Sequence, residues 1–178
     1  GWLQGQYATP MRSHPSWHYA SLSTPDSHPL AIVAHYTSTD PGTAINMARR
    51  RMVPLKPTDR HASWHVSIES DGAIVQQVSF LAGTWHAGGK TARPIKGVGA
   101  ANRTAVGVEL VGHGGVWPDA QVIGAARVWR ALVDAYAIPR ALAMVTHAEL
   151  DPGRKGDPGK PWLRDYAPAV LEYAYAER

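Results

Sequence analysis

Two histidines and an aspartate give the first chemical signal: His35, His147 and Asp157 stand just beyond short apolar runs or in a loop. Strand ends are where open α/β sheets place ligands and catalytic groups. Two neutral imidazoles and one carboxylate are a three-ligand set that suits catalytic zinc and leaves a fourth position for water or substrate. Each residue also has a plainer reading. A histidine at a strand end is more often a hydrogen-bonded structural group, and an aspartate before proline, as in Asp157-Pro158, is more often a turn former. The distance along the chain between His35 and His147 does not decide the matter. Glu109 is the second signal, because an acid inside the apolar run Ala105 to Val111 is costly unless it is paired or faces a polar site. The alternative is a glutamate on an exposed sheet face or edge.

Holding such groups together requires strands, and the sequence supplies several. Leu30 to Ala34 is a short, partly β-branched run between Pro29 and a polar stretch, which predicts a buried central strand ending at His35. Thr39 or Asp40 can cap a helix with Pro41 at its first position, and Ala44, Ile45, Ala48 and Met52 keep helical spacing until Pro54. Segments 63–68 and 73–78 flank Asp71-Gly72, which predicts a β-hairpin. Residues 83–103 read as loop, and 105–111 as another interior strand. Asp119 to Ala137 carries Val122, Ala126, Trp129, Leu132, Val133 and Tyr136 along one face, predicting an amphipathic helix that stops before Pro139. Ala143-Met144-Val145 is a short strand leading to His147, and Trp162, Tyr166, Ala169, Val170 and Tyr173 mark a C-terminal helix. Residues 1–29 have no periodicity and read as an irregular arm packed through Trp2 and Trp17, which leaves 30–178 as one domain. The expected fold is α/β: a single mixed central sheet covered by helices.

Composition narrows the chemistry. The chain has 178 residues, enough for one domain, and its 18 basic and 14 acidic side chains give a net charge of +4. That excess suits acidic cell-wall polymers but lacks the clustered charge of nucleic-acid binders. No apolar run is long enough to span a membrane, and the first thirty residues lack the basic-then-apolar pattern of a signal peptide. With no cysteine there are no disulfides, zinc ribbons or thiol nucleophiles, so any metal site must use histidines and carboxylates.

The segment Thr146-His147-Ala148-Glu149-Leu150-Asp151-Pro152-Gly153-Arg154-Lys155-Gly156-Asp157-Pro158-Gly159 resembles the zinc-binding segment of the type 2 N-acetylmuramoyl-L-alanine amidases, a family that includes recycling amidases, phage endolysins and peptidoglycan recognition proteins. Four further segments match in order: Ile32 to Thr37, Ser63-Trp64-His65 through Asp71-Gly72, Trp85-His86-Ala87-Gly88, and Val106 to Leu110. The likeness runs from about residue 30 to 176. It implies the peptidoglycan-recognition-protein or zinc-amidase fold, Zn2+ bound by His35, His147 and Asp157, Glu109 as the acid/base carboxylate, and Lys155 as an electrophilic helper. It also implies a muropeptide or peptidoglycan substrate, action at the bacterial cell wall as an endolysin or cell-wall amidase, and no nucleic-acid or membrane partner. A monomer is expected.

The sequence departs from the family at one position. Some members carry a tyrosine before the hairpin histidine; here it is Trp64, which has no titratable proton, so the chain resembles the members that rely on glutamate. Trp64 is expected to pack or line the cleft, and His65 to be structural. Trp85 and His86 either face substrate or anchor their loop. The rival from another class is a non-catalytic peptidoglycan-binding module, and a zinc peptidase is disfavoured by the lack of a His-Glu-x-x-His sequence.

Overall fold

The computed structural model describes residues 9–10, 19–21, 28–43, 62–88 and 92–177. The helix body expected from Ala44 to Met52, and Trp2 and Trp17 of the arm, lie outside the described residues. In chain order the described elements are β1 (Thr9–Pro10), β2 (Tyr19–Ser21), β3 (Ala31–Tyr36), β4 (Val66–Ile68), β5 (Ile74–Gln76), β6 (Ala82–Thr84), the helical turn α1 (Ala101–Thr104), β7 (Ala105–Leu110), α2 (Asp119–Tyr136), β8 (Val145–Thr146) and α3 (His147–Leu150). A π-helical turn at Trp162–Tyr166 then leads into α4 (Ala167–Tyr175).

One mixed sheet runs in the order β1-β5-β4-β7-β3-β8, and β2 pairs with β6 in a separate two-stranded sheet. The centre is parallel, β4 and β7 and β3 and β8, while the β4–β5 hairpin is antiparallel. Its turn fits the sequence: Gly72 takes a φ of +84° and donates its N–H to Glu69, while Glu69 donates to Ala73. That is the three-residue hairpin with a glycine in the left-handed region.

Three expectations change. The arm is not wholly irregular, because β1 pairs with β5 and β2 with β6. The loop expected over 83–103 includes part of β6 and the turn α1, and the strand expected at 143–145 sits at Val145–Thr146. Each of these elements is two to four residues long. Such short pieces carry no readable period; the strands among them form where a strand edge has backbone groups that need partners.

Central strands are buried on both faces, so their sequences read as continuous apolar runs. Ile32, Ala34, Val66, Ile68, Val106, Val108 and Leu110 meet Val128, Trp129 and Leu132 of α2 and Val170 of α4. Alternate residues Ala31, Val33 and Ala105 face the other way, against Ala87, Ile95, Ala101 and Leu150. The helix α2 approaches the hairpin closely, since a Cβ on Gly124 would lie 2.9 Å from the Gly72 carbonyl oxygen. Its buried Gln121 donates to the carbonyls of Ile68 and Val111 at 2.8 and 2.9 Å, tying the helix to the ends of β4 and β7.

His65 is fully buried beside β4 and has both nitrogens engaged. Nε2 donates to the Ala82 carbonyl at 2.8 Å, and Nδ1 accepts the Gly107 N–H at 2.9 Å. This histidine is structural, as the sequence suggested. Burial pushes its pKa down to about 4 from 6.5. The unfolded chain therefore takes up a proton between pH 6.5 and 4 that the folded chain refuses, so this part of the stability is present above 6.5 and is lost on acidification. Urea unfolding of the metal-free chain should show a loss on the order of 3 kcal/mol from His65 over that range. A flat stability profile between those pH values would contradict this account.

Candidate metal centre and active-site cleft

Strand register creates the site. His35 of β3 pairs with Glu109 of β7, and Glu109 pairs with Ser67 of β4, so three polar side chains stand in a row across the middle of the sheet. All three occupy positions that alternate away from the helix-covered face. Glu109, anomalous in its apolar run, is buried at 8% exposure and lines the same cleft as His147 and Asp157.

His147 opens α3, directly after β8. Thr146 caps that turn: its hydroxyl accepts the Glu149 N–H at 3.1 Å, while the Glu149 carboxylate accepts the Thr146 N–H at 2.7 Å. Such a reciprocal pair satisfies donors that a helix start leaves open. The following loop is held by buried Asp151, whose carbonyl accepts the N–H groups of Arg154 and Lys155 and whose carboxylate pairs with the Arg154 guanidinium. Asp157 closes the loop onto α3 by accepting the Ala148 N–H at its carbonyl.

These elements bring Nδ1 of His35, Nδ1 of His147 and Oδ2 of Asp157 into a triangle. The edges are 2.9 Å between the two nitrogens and 3.0 Å from each nitrogen to the oxygen. Tetrahedral ligands at the usual zinc distances stand about 3.3 Å apart, so little adjustment is needed for all three to bind one ion. The protonation states suit a cation as well. Burial, with further pushes from His147 and Lys155, lowers the His35 pKa to about 4 against the pull of Asp157, leaving its imidazole neutral. Burial would raise the Asp157 carboxyl, but hydrogen bonds to His147 and His35 outweigh it and hold the group ionised. Among the described residues this is the one set of three such groups with metal-ligating spacing.

A cleft of about 200 Å3 opens over the triangle. Trp64, Trp85, His86, Glu109, His147, Lys155 and Asp157 all line it, and the buried His35 completes the triangle, so the fold gathers the candidate catalytic, metal and substrate residues read from the sequence. Their orientations differ. Trp64 is buried, and its indole N–H goes to the Ser67 hydroxyl at 2.7 Å. Trp85 is 41% exposed at the rim, whereas His86 is 6% exposed, with Nδ1 at 2.9 Å from Nε2 of His35.

Several contributors escaped the sequence reading. Tyr36 and Thr37 also line the cleft. Asn102 accepts the consecutive N–H groups of His86 and Ala87 on its side-chain oxygen, at 3.0 and 2.7 Å. Gly107 escaped as well, although an isolated glycine inside a strand is a signal of close approach by another group. Here a Cβ would stand 2.6 Å from Cγ of His86.

Residues 25–160 match the N-acetylmuramoyl-L-alanine amidase family. The chain belongs to that family. It is 33% identical over 171 residues to the 1,6-anhydro-N-acetylmuramyl-L-alanine amidase AmpD of Escherichia coli strain K12, covering 89% of this chain and 88% of that protein. The AmpD of Salmonella typhimurium strain LT2 is 31% identical over 173 residues, covering 89% of this chain and 86% of its own length. A crystal structure of a selenomethionine AmpD derivative superposes with a TM-score of 0.75 at 31% identity, covering 95% of this amidase and 96% of that chain. The structure of PlyL, at 20% identity and a TM-score of 0.66, covers 94% and 96% respectively and shares the fold.

Metal stripped with a chelator and restored should give one divalent transition metal per chain by elemental analysis. Replacing Asp157 with Ala, which deletes the anionic donor, should cut metal retention by about tenfold or more. A wild-type chain that retains no metal would remove the triangle's significance.

Proposed function

We propose that this family member hydrolyses the amide joining the lactyl group of N-acetylmuramic acid to the L-alanine of a peptide stem, with zinc held by His35, His147 and Asp157. The observation that carries the reading is the convergence of two imidazole nitrogens and a carboxylate oxygen in a cleft that also contains Glu109 and Lys155. When bound, zinc supplies Lewis acidity toward an amide carbonyl and acidifies water.

The chain's own groups account for the proton transfers and the charge. Glu109, in register with His35, takes the proton of the attacking water on its carboxylate and gives it to the departing alanine nitrogen. Lys155, two residues before Asp157 on the braced loop, aims its ammonium at the scissile carbonyl oxygen as negative charge develops there. Trp64 has committed its N–H to Ser67, so it offers the cleft an apolar ring. Trp85 at the rim presents a flat face for a sugar or stem peptide. All of these residues fall within 30–178, the proposed catalytic domain.

The substrate class is supported by the relatives at 31–33% identity, which are named 1,6-anhydro-N-acetylmuramyl-L-alanine amidases. They favour soluble 1,6-anhydro-muropeptides over polymeric wall for this chain. Mass spectrometry of digests of an anhydro-muropeptide and of intact sacculi tests both parts of the reading. The expected products are a sugar with a free lactyl carboxylate and a peptide with N-terminal alanine, formed faster from the soluble substrate. Binding without release of alanine-terminated peptide would make the chain a recognition module instead.

Glu109→Gln keeps the size of the side chain but cannot take up the water proton. Its turnover should fall by about 10²–10⁴-fold while zinc content and thermal stability stay near wild type. Lys155→Met should slow turnover with the metal retained, by removing the charge that favours the developing oxyanion. A Glu109→Gln enzyme with the wild-type rate would exclude Glu109 as the base.

A further inference from the structure

His86 follows an exposed tryptophan in a glycine-flanked loop, yet its ring turns inward and meets His35 edge to face, with centroids 5.1 Å apart and planes at 86°. Its position is fixed from three sides. Asn102 holds its backbone N–H, the missing Cβ of Gly107 leaves room for the ring, and Nδ1 lies 2.9 Å from Nε2 of His35.

We propose that His86 is a positioning residue for the metal centre, accepting the Nε2 proton of His35 on its own Nδ1 and thereby aiming the Nδ1 lone pair of His35 at the ion. The assignment follows from proton counting. A neutral imidazole carries one N–H, and the His35 nitrogen within the triangle is Nδ1, so the proton of a metal-binding His35 resides on Nε2. The group in hydrogen-bonding range of that proton is Nδ1 of His86, which must therefore be an unprotonated acceptor, with the His86 proton left on Nε2, for which the described residues supply no hydrogen-bond partner of normal geometry. Histidine ligands are ordinarily oriented by a bond of this kind at the far ring nitrogen. His147 differs, since its Nε2 has no hydrogen-bond partner among the described residues. His35 is thus the ligand whose ring is set through a side chain, and the line Gly107–His86–His35 carries that control from the sheet floor to the ion.

The proposal rests on the zinc reading above, and its test measures zinc affinity by competition with a chromophoric chelator rather than turnover. His86→Ala should weaken Zn2+ binding by about 10–100-fold, with the melting temperature of the metal-free chain confirming that it folds. His86→Asn, whose Oδ1 falls near the place of Nδ1 and can accept the same proton, should stay within about threefold of wild type. Gly107→Ala should weaken binding with His86 still present, because the added methyl displaces the ring. Should His86→Ala fail to fold, Asn is compared with Gln, whose amide reaches past the Nδ1 position: tight binding by Asn alone supports the assignment, and equal affinities overturn it. Wild-type affinity in a folded His86→Ala chain, or an Asn variant as weak as Ala, also overturns it. A wild-type chain that binds no Zn2+ overturns both this assignment and the zinc reading beneath it.

Discussion

Two imidazole nitrogens and a carboxylate oxygen kept about 3 Å apart beneath the protein surface are unfavourable neighbours unless a cation or a proton joins them, and the rest of the structure is arranged to keep them there. They come from a central strand, from the first residue of a helical turn and from the end of a loop. None of these supports could hold the geometry alone. The strand is fixed by partners on both sides, the turn by the reciprocal Thr146–Glu149 cap, and the loop by the Asp151 carbonyl and the Arg154 pair. A group built on braced elements is displaced less on binding, which is where affinity for an ion is gained.

The two faces of the sheet share this task unequally. Against the helices, alternate strand residues are large and apolar, and the helix α2 is drawn close by Gly124 and by Gln121 bonding to strand-end carbonyls. On the other face apolar packing gives way to a polar row, Ser67, Glu109 and His35, roofed by the His86 loop. Gly107 marks the transition, since the volume its side chain would have filled holds an imidazole instead. Glu109 is affordable in an interior strand because its neighbours across the sheet are polar and it borders a cleft.

A large part of this was readable in the chain. Leu30 to Ala34 and Ala105 to Val111 announced interior strands by their apolar, β-branched composition, and the 119–136 helix by its apolar periodicity. Of the helix face read from the sequence, however, only Trp129 and Leu132 are buried; Val122, Ala126, Val133 and Tyr136 are half-buried, and the buried line runs through Gln121, Ala125 and Val128. Asp71-Gly72 announced a hairpin because its turn needs a residue that accepts positive φ. His35, Glu109, His147, Lys155 and Asp157 stood out through motif resemblance, and the fold brings all of them to one cleft. The strands of the arm and β6 were not legible, because two or three residues cannot show a period and their pairing depends on edges formed elsewhere.

By itself the sequence determined which side chains are available for such chemistry: two imidazoles, a carboxylate before proline, an acid inside an apolar strand, and no thiol. It also set the local elements that carry them, since periodicity, caps and turns act over a few residues. Tertiary structure decided which ring nitrogens converge, that His65 is committed to Gly107 and Ala82, that Trp64 donates to Ser67, and that His86 turns toward His35 while Trp85 turns outward. Those choices depend on strand register and on which atoms lie across a packed interface. No local pattern records them, because the hydrogen bonds that settle each orientation come from segments distant in the chain.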